Sequence, residues 1–244
     1  MKRIDVLIAE KGLAKSRTAA AEFIKEGRVS VGGRTVVKSS ELFDEDCEIE
    51  IDYPSSLYVS RGGIKLDHAL SEFGVDAKGK VCLDIGASTG GFTHCLLAHG
   101  AKKVYAVDSG TDQLDISLRG DSRVISRENV NARYLRRADI PEKIDLIVMD
   151  VSFISQTLIY PAAADILETG GVMITLVKPQ YESDSRVRQK NGVVKDKDGK
   201  KAETVFKKLT SCAAENGLRL EKRASSPIKG GDGNTEYLAL FVRE

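Results

Sequence analysis

Two lysines and two acids are the residues through which this 244-residue chain could do chemistry. Asp150 closes the apolar run 144–150 and Lys178 closes the run 172–178. Glu236 opens a late apolar segment, and Lys65 falls in the first turn of a helical pattern that precedes them all. A lysine in a first turn opposes the helix dipole, so its place there suggests a task other than helix stability. If the two runs are parallel strands and the late segment is a reversed one, Asp150, Lys178 and Glu236 share the carboxyl rim where open α/β sheets bind their ligands. A lysine held near neutrality by a second cation can accept or orient the proton of a weakly acidic hydroxyl. Lys178 fits that part, with Lys65 and Asp150 tuning it and Glu236 positioning them. Each residue alone reads as a solvated strand-end charge; four of them on one rim read as a site.

The acceptor is narrowed by what is missing. Attack through C5 of a pyrimidine needs a thiol near the ends of the fourth or fifth strand, and Cys47, Cys82, Cys95 and Cys212 all lie elsewhere. Exocyclic amines are usually served by Asn or Asp followed by Pro-Pro and an aromatic, whereas this chain has Asp150-Val151-Ser152-Phe153. A hydroxyl remains.

The group to be transferred is suggested by residues 81–92, VCLDIGASTGGF, which read as a strand, a tight turn and a helix start. A dinucleotide fingerprint would need G-x-G-x-x-G to admit a pyrophosphate. Here the glycines are Gly86, Gly90 and Gly91, and Asp84 stands beside them, where it would repel phosphate and attract an ammonium. S-adenosylmethionine has an ammonium and a sulfonium and no phosphate. The expected donor set is Asp84, Gly86, Ser88, Gly90, Gly91 and Phe92, with Asp108 after the second strand accepting from ribose hydroxyls and Asn129 near the adenine. A dinucleotide site, or a helix-capping Asp84 in an unrelated α/β protein, stay as alternatives on this pattern alone.

The elements that must hold these residues alternate. Strands are expected at 81–84, 103–108, 124–126, 144–150 and 172–178, with helices at 93–99, 113–118 and 159–167. A last helix at 203–216 precedes strands at 218–224 and 235–242, joined as a hairpin by the glycine-rich GGDGN. The expected fold is a Rossmann-like, seven-stranded α/β domain whose last strand is reversed. Residues 181–200 read equally as a mobile flap or a plain solvated loop.

Residues 1–52 form a separate small α+β pattern, and 53–59, with Pro54, Ser55 and Ser56, read as the linker to a domain at 60–244. Nine basic residues stand against four acids from Lys2 to Lys38, while seven acids stand without a base from Glu41 to Asp52. Lys11, Lys15, Arg17 and Arg28 would cluster where two helix ends and a turn meet, a place to grip phosphates, and Arg61 could add to them. Charge alone leaves a solvated surface equally open. The whole-chain formal charge is only +1, so any nucleic-acid contact must be local. Scattered cysteines point to reduced thiols, and the charged first dozen residues and the lack of a long apolar run point to a soluble, cytoplasmic protein.

The stretch RIDVLIAEKGLAKSRTAAAEFIKEGRVSVGG resembles the RNA-binding domain of small-subunit ribosomal protein S-four, which implies binding to structured RNA by shape and backbone. The second domain resembles the FtsJ-like ribose 2'-O-methyltransferases, through SRGGIKL, LDIGASTGGFT, AVDSG, MDVSFIS, LVKPQ and GNTEYL. Taken together, the chain is similar to the TlyA (hemolysin A) family. That resemblance implies a Lys-Asp-Lys-Glu tetrad at Lys65, Asp150, Lys178 and Glu236, and methyl transfer from S-adenosylmethionine to a cytidine ribose. The implied target is ribosomal RNA or a ribosomal subunit, in particular the large one. The family's second name raises a membrane-lytic reading, against which stands the absence of any long apolar or strongly amphipathic basic segment. An RNA-binding scaffold with an unused donor pocket is a third reading. No pattern points to a metal, a membrane or a protein partner.

Overall fold

The computed structural model describes residues 1–11, 13–14, 16–51, 58–182, 200–230 and 234–244, and the chain divides into two compact units, Met1–Ser56 and Leu57–Glu244. In the first unit, β1 (Lys2–Arg3), α1 (Ile4–Glu10), α2 (Arg17–Lys25), β2 (Val29–Val31), β3 (Arg34–Thr35), β4 (Leu42–Phe43) and β5 (Ile49–Ile51) follow one another. Ser16 caps α2 by accepting from the Ala19 N–H at 3.2 Å. Strands β3, β2 and β5 form one antiparallel sheet and β1 pairs with β4. Ile4, Ile8, Ala20, Ile24, Val29 and Val36 form the core, the i, i+4 spacing of Ile4 with Ile8 and of Ala20 with Ile24 placing each pair on one helix face.

The second unit begins with α3 (Gly62–Phe73), closed by Gly74 at φ +69°, and is built on β6 (Val81–Ile85), five consecutive buried residues in the interior of the sheet. There follow α4 (Gly91–Ala98), β7 (Lys103–Val107), α5 (Ile116–Arg119), β8 (Val124–Arg127), β9 (Ile144–Met149), α6 (Tyr160–Ile166), β10 (Leu167–Val177), α7 (Pro179–Glu182), α8 (Lys200–Glu215), β11 (Leu218–Ser225) and β12 (Tyr237–Arg243). The seven strands run in the order β11-β12-β10-β9-β6-β7-β8. Only β12 is reversed, pairing antiparallel with both β10 and β11. Alternate strand residues face opposite sides. Leu83, Ile85, Ile147 and Met149 pack under α6 and α8, whereas Cys82, Val104, Leu146 and Val148 pack under α3 and α4. The three-layer, doubly wound arrangement expected from the alternating pattern is the one observed.

Boundaries differ for local reasons. The expected helix 113–118 shrinks to α5 because the Glu128 carboxylate takes the N–H groups of Asp112 and Gln113 at 2.6 and 2.9 Å, and Asp115 caps the remainder. Helix α4 starts two residues early, at Gly91, since Gly90 already adopts φ +93° as its cap. Strand β10 starts at Leu167 rather than 172, with a register shift before Val172. Tyr58 and Val59, expected in the linker, belong to the second unit: Tyr58 is buried with its ring edge-on to His94, and the Val59 N–H donates to His94 Nδ1 at 3.1 Å. The rest of the expected linker up to residue 57, the expected flap beyond Glu182 and the middle of GGDGN lie outside the described residues.

Candidate active site

Strand ends meet at the carboxyl rim in the order the register dictates. Ile85 pairs with Met149, Thr175 with Met149, and Val177 with Tyr237, so the residues one step beyond bring Gly86, Asp150, Lys178 and Glu236 to neighbouring strand ends. The Asp150 N–H donates to the Ile85 carbonyl at 3.0 Å, carrying the ladder one residue past β9.

The glycine turn follows β6. At φ +83°, Gly86 sits where a Cβ would come within 2.4 Å of the Asp150 carbonyl oxygen, so it is the approach of β9, rather than of a ligand, that first demands glycine there. At Gly91 a Cβ would meet Ser60 Oγ at 2.2 Å. Ser88, at φ +48°, turns its N–H to Asp108 Oδ2 at 2.8 Å, and the Gly110 N–H donates to Asp108 Oδ1 at 2.7 Å. Asp108 is thereby fixed between two loops, each oxygen keeping a second lone pair for a hydroxyl donor. Asn129, at φ +59°, is exposed and accepts from Thr111 Oγ1 at 2.7 Å, tying the segment after β8 to the same loop. The ring of Phe92, one residue inside the start of α4, is buried in the core against α3 and supports the turn from behind.

Asp84 is fully buried, and its two oxygens differ. Oδ2 accepts from Thr93 Oγ1 at 2.7 Å, while Oδ1 has no hydrogen-bond partner. Burial pushes its carboxyl up to about 7, against the Thr93 bond and helped by the nearby charges of Asp150 and Asp108. Three carboxylates and one unsatisfied oxygen suit a cation. They disfavour the pyrophosphate that a dinucleotide would bring.

The four chemical residues form two ion pairs. Lys65 Nζ on α3 lies 2.5 Å from Glu236 Oε2, with side-chain exposures of 10% and 4%. Lys178 Nζ lies 2.6 Å from Asp150 Oδ1 and donates to Ser152 Oγ at 2.9 Å. Asp150 Oδ1 accepts no well-directed hydrogen bond, so that contact is an ion pair out of line. Each cation faces an acid, because a desolvated ammonium is costly unless paired. Ser152 was visible in the sequence only as part of a tetrapeptide used for exclusion. Its neighbour Phe153 is 84% exposed and holds φ +64°, a left-handed conformation that bulky residues rarely take, and its ring lies 5.0 Å from that of Tyr181.

Among the described basic residues of the first unit, Arg17 and Arg28 stand at opposite ends of α2. Lys11 ends α1, and Arg17 starts α2 and pairs with Asp5 at 3.2 Å. Arg28 lies beyond the other end of α2, whose nine residues span roughly 13 Å at 1.5 Å per residue, and pairs with Glu26 at 2.8 Å. Lys15 lies outside the described residues, and Arg61, exposed, is the cap residue of α3.

A doubly wound sheet with a reversed strand beside the rim, and a glycine turn flanked by acids instead of a phosphate cradle, define a Rossmann-like methyltransferase. The chain belongs to the FtsJ-like methyltransferase family, whose model matches residues 58–243, and an S4 domain matches residues 2–46. It is 42% identical to hemolysin A of Brachyspira hyodysenteriae over 98% of this chain and 99% of that one. It is 39% identical to the 16S/23S rRNA (cytidine-2'-O)-methyltransferase TlyA of Mycobacterium tuberculosis, covering 99% of this chain and 89% of that one. A solved structure described as a hemolysin, from Streptococcus thermophilus, superposes with a TM-score of 0.80 at 40% identity, over 99% of this chain and 88% of that one. Among the described residues no helix is long and apolar enough to cross a membrane.

Proposed function

We propose that this enzyme transfers a methyl group from S-adenosylmethionine to the 2'-hydroxyl of a cytidine ribose in ribosomal RNA, with the S4 domain engaging the RNA. The observation that carries this reading is the pair of lysine–carboxylate contacts at the rim, beside a buried carboxylate with an unsatisfied oxygen. The donor, when bound, supplies an electrophilic methyl on a sulfonium. Asp84 and Asp108 hold its ammonium and ribose. Lys178 is held by the charge of Asp150 and donates one N–H to Ser152, and a remaining N–H orients the acceptor hydroxyl. The hydroxyl proton passes to the Asp150 carboxylate, which the Lys178 ammonium holds in place, while Lys65 and Glu236 fix β12 and α3 beside it. Alignment supplies most of the rate, because neutralising a sulfonium requires little oxyanion stabilisation. The absence of a pyrimidine-attacking thiol at the rim and the relatives' cytidine-2'-O activity favour the ribose over the base.

Labelled-methyl transfer to free ribosomal RNA, isolated subunits and whole ribosomes, with the modified nucleotide mapped, tests the proposal. A label resistant to base removal and sensitive to ribose analysis is expected; a methylated base, or no transfer to any of the three, would refute it.

Asp84 adds a pH signature. Its folded-state value of about 7 lies above the ordinary carboxylate value near 4, so the stability it lends the ligand-free fold is full below pH 4 and lost as pH rises through 7. A cationic donor favours the ionised form, so donor affinity should rise by up to about tenfold per pH unit between pH 5.5 and 7. Calorimetric titrations across that range should show the slope, and Asp84→Asn should flatten it.

A further inference from the structure

We propose that Glu182 is a positioning residue for methyl transfer, holding the segment that follows Asp150 in register with the segment that follows Lys178; this rests on the reading of the rim given above. Five rungs join residues 150–156 to residues 178–182. Lys178 contacts Asp150 and Ser152, the Phe153 and Tyr181 rings lie side by side, and the Glu182 carboxylate accepts from Ser155 Oγ at 2.5 Å and from the Gln156 N–H at 2.8 Å. Gln156, itself buried, donates from Nε2 to the Leu176 carbonyl at 2.8 Å and accepts from the Tyr160 hydroxyl at 3.1 Å, so the far end of the ladder is anchored to β10 and α6. Lys208 on α8 braces the same rung, with Nζ 2.9 Å from the Glu182 carbonyl, 3.2 Å from Ser155 Oγ and 3.4 Å from Glu182 Oε2.

The carboxylate of Glu182 is almost wholly buried, its side chain only 2% exposed. Burying a charge is an expensive route to stability compared with apolar packing, and its best-attested return is a unique arrangement. What is arranged here is the strained stretch between the rungs. Phe153 holds φ +64° between two fixed flanks, and Ser152 reaches Lys178 at 2.9 Å from that geometry. Asp150 fixes one flank as the continuation of β9, and Glu182 fixes the other. Removing the Glu182 rung lets the segment relax, and Lys178 loses the serine that aims it.

The test uses the full chain with 4-fluorophenylalanine incorporated at position 153, comparing the parent with Glu182→Gln and with the milder Ser155→Ala. The expected result for Glu182→Gln is a shifted or broadened fluorine resonance, a fall in kcat of tenfold or more, and donor dissociation constant and thermal midpoint close to the parent's, with Ser155→Ala intermediate. In the double change with Ser152→Ala, the kcat losses should not multiply, because both act through the aim of Lys178. An unchanged fluorine resonance, an unchanged kcat, or losses that multiply would overturn the proposal. If the parent itself methylated no RNA while the fluorine signal still responded to Glu182→Gln, the proposed activity would fall and the bracing of the segment would stand.

Discussion

Lys178→Ala is expected to lower methyl transfer, measured at saturating donor and RNA, on the order of a thousandfold, the middle of the range for a positioned proton-handling group. The size follows from the convergence of roles on one nitrogen, which pairs with Asp150 at 2.6 Å, donates to Ser152 at 2.9 Å and keeps an N–H for the hydroxyl. Donor affinity should stay within about twofold, since that nitrogen faces the acceptor and not the donor loop; uniform-binding residues behave the opposite way, raising KM and sparing kcat. Lys178→Arg should rescue little. A planar guanidinium fixes its donors in a fork and cannot keep the ammonium's tripod toward Asp150, Ser152 and the hydroxyl together. Retention of even a tenth of parent activity in the alanine variant would remove Lys178 from the chemistry.

Lys65→Ala should damage the fold as much as the reaction. It strands the Glu236 carboxylate, 3% exposed, without its partner at 2.5 Å. Breaking one side of a buried pair typically costs about 3–5 kcal/mol, which in a domain of this size lowers the melting midpoint by roughly 10 °C. Replacing both residues with apolar ones of similar volume, Lys65→Met with Glu236→Leu, should recover most of that stability and none of the activity. Thermal unfolding and a methyl-transfer assay on the single and double variants separate the two effects. If the double variant were as unstable as the single one, the pair would be holding the fold by its charges after all.

Much of this site was legible because strand ends announce themselves. An apolar run that stops on Asp150 or Lys178, followed by a reversed strand entered at Glu236, places three residues on one rim by topology alone, and β6 with its glycine turn marks the candidate donor side. Pairing was not legible. Nothing in the spacing says that Lys65 meets Glu236 across 171 positions while Lys178 takes Asp150, since that depends on how α3 leans over the sheet. The burial of the Phe92 ring was not legible either, because a residue following two glycines looks like part of the loop, whereas its side chain direction belongs to the helix. Ser152 and Glu182 carried no recognisable spacing and emerged only from hydrogen bonds between separate strand ends. In the first unit, charge counting found the basic residues yet not their distribution along α2, where Arg17 and Arg28 sit at opposite ends.

The contact between Gly86 and the Asp150 carbonyl also bears on redesign. Donor turn and acceptor-side acid are not two modules joined by a spacer; they share a backbone contact too close for a single carbon atom. Enlarging the turn to admit a donor carrying a bulkier alkyl group would therefore push Asp150 and, through it, Lys178. A variant selected for a new donor should arrive with altered preference for the receiving nucleotide, and the two specificities would have to be evolved as one trait.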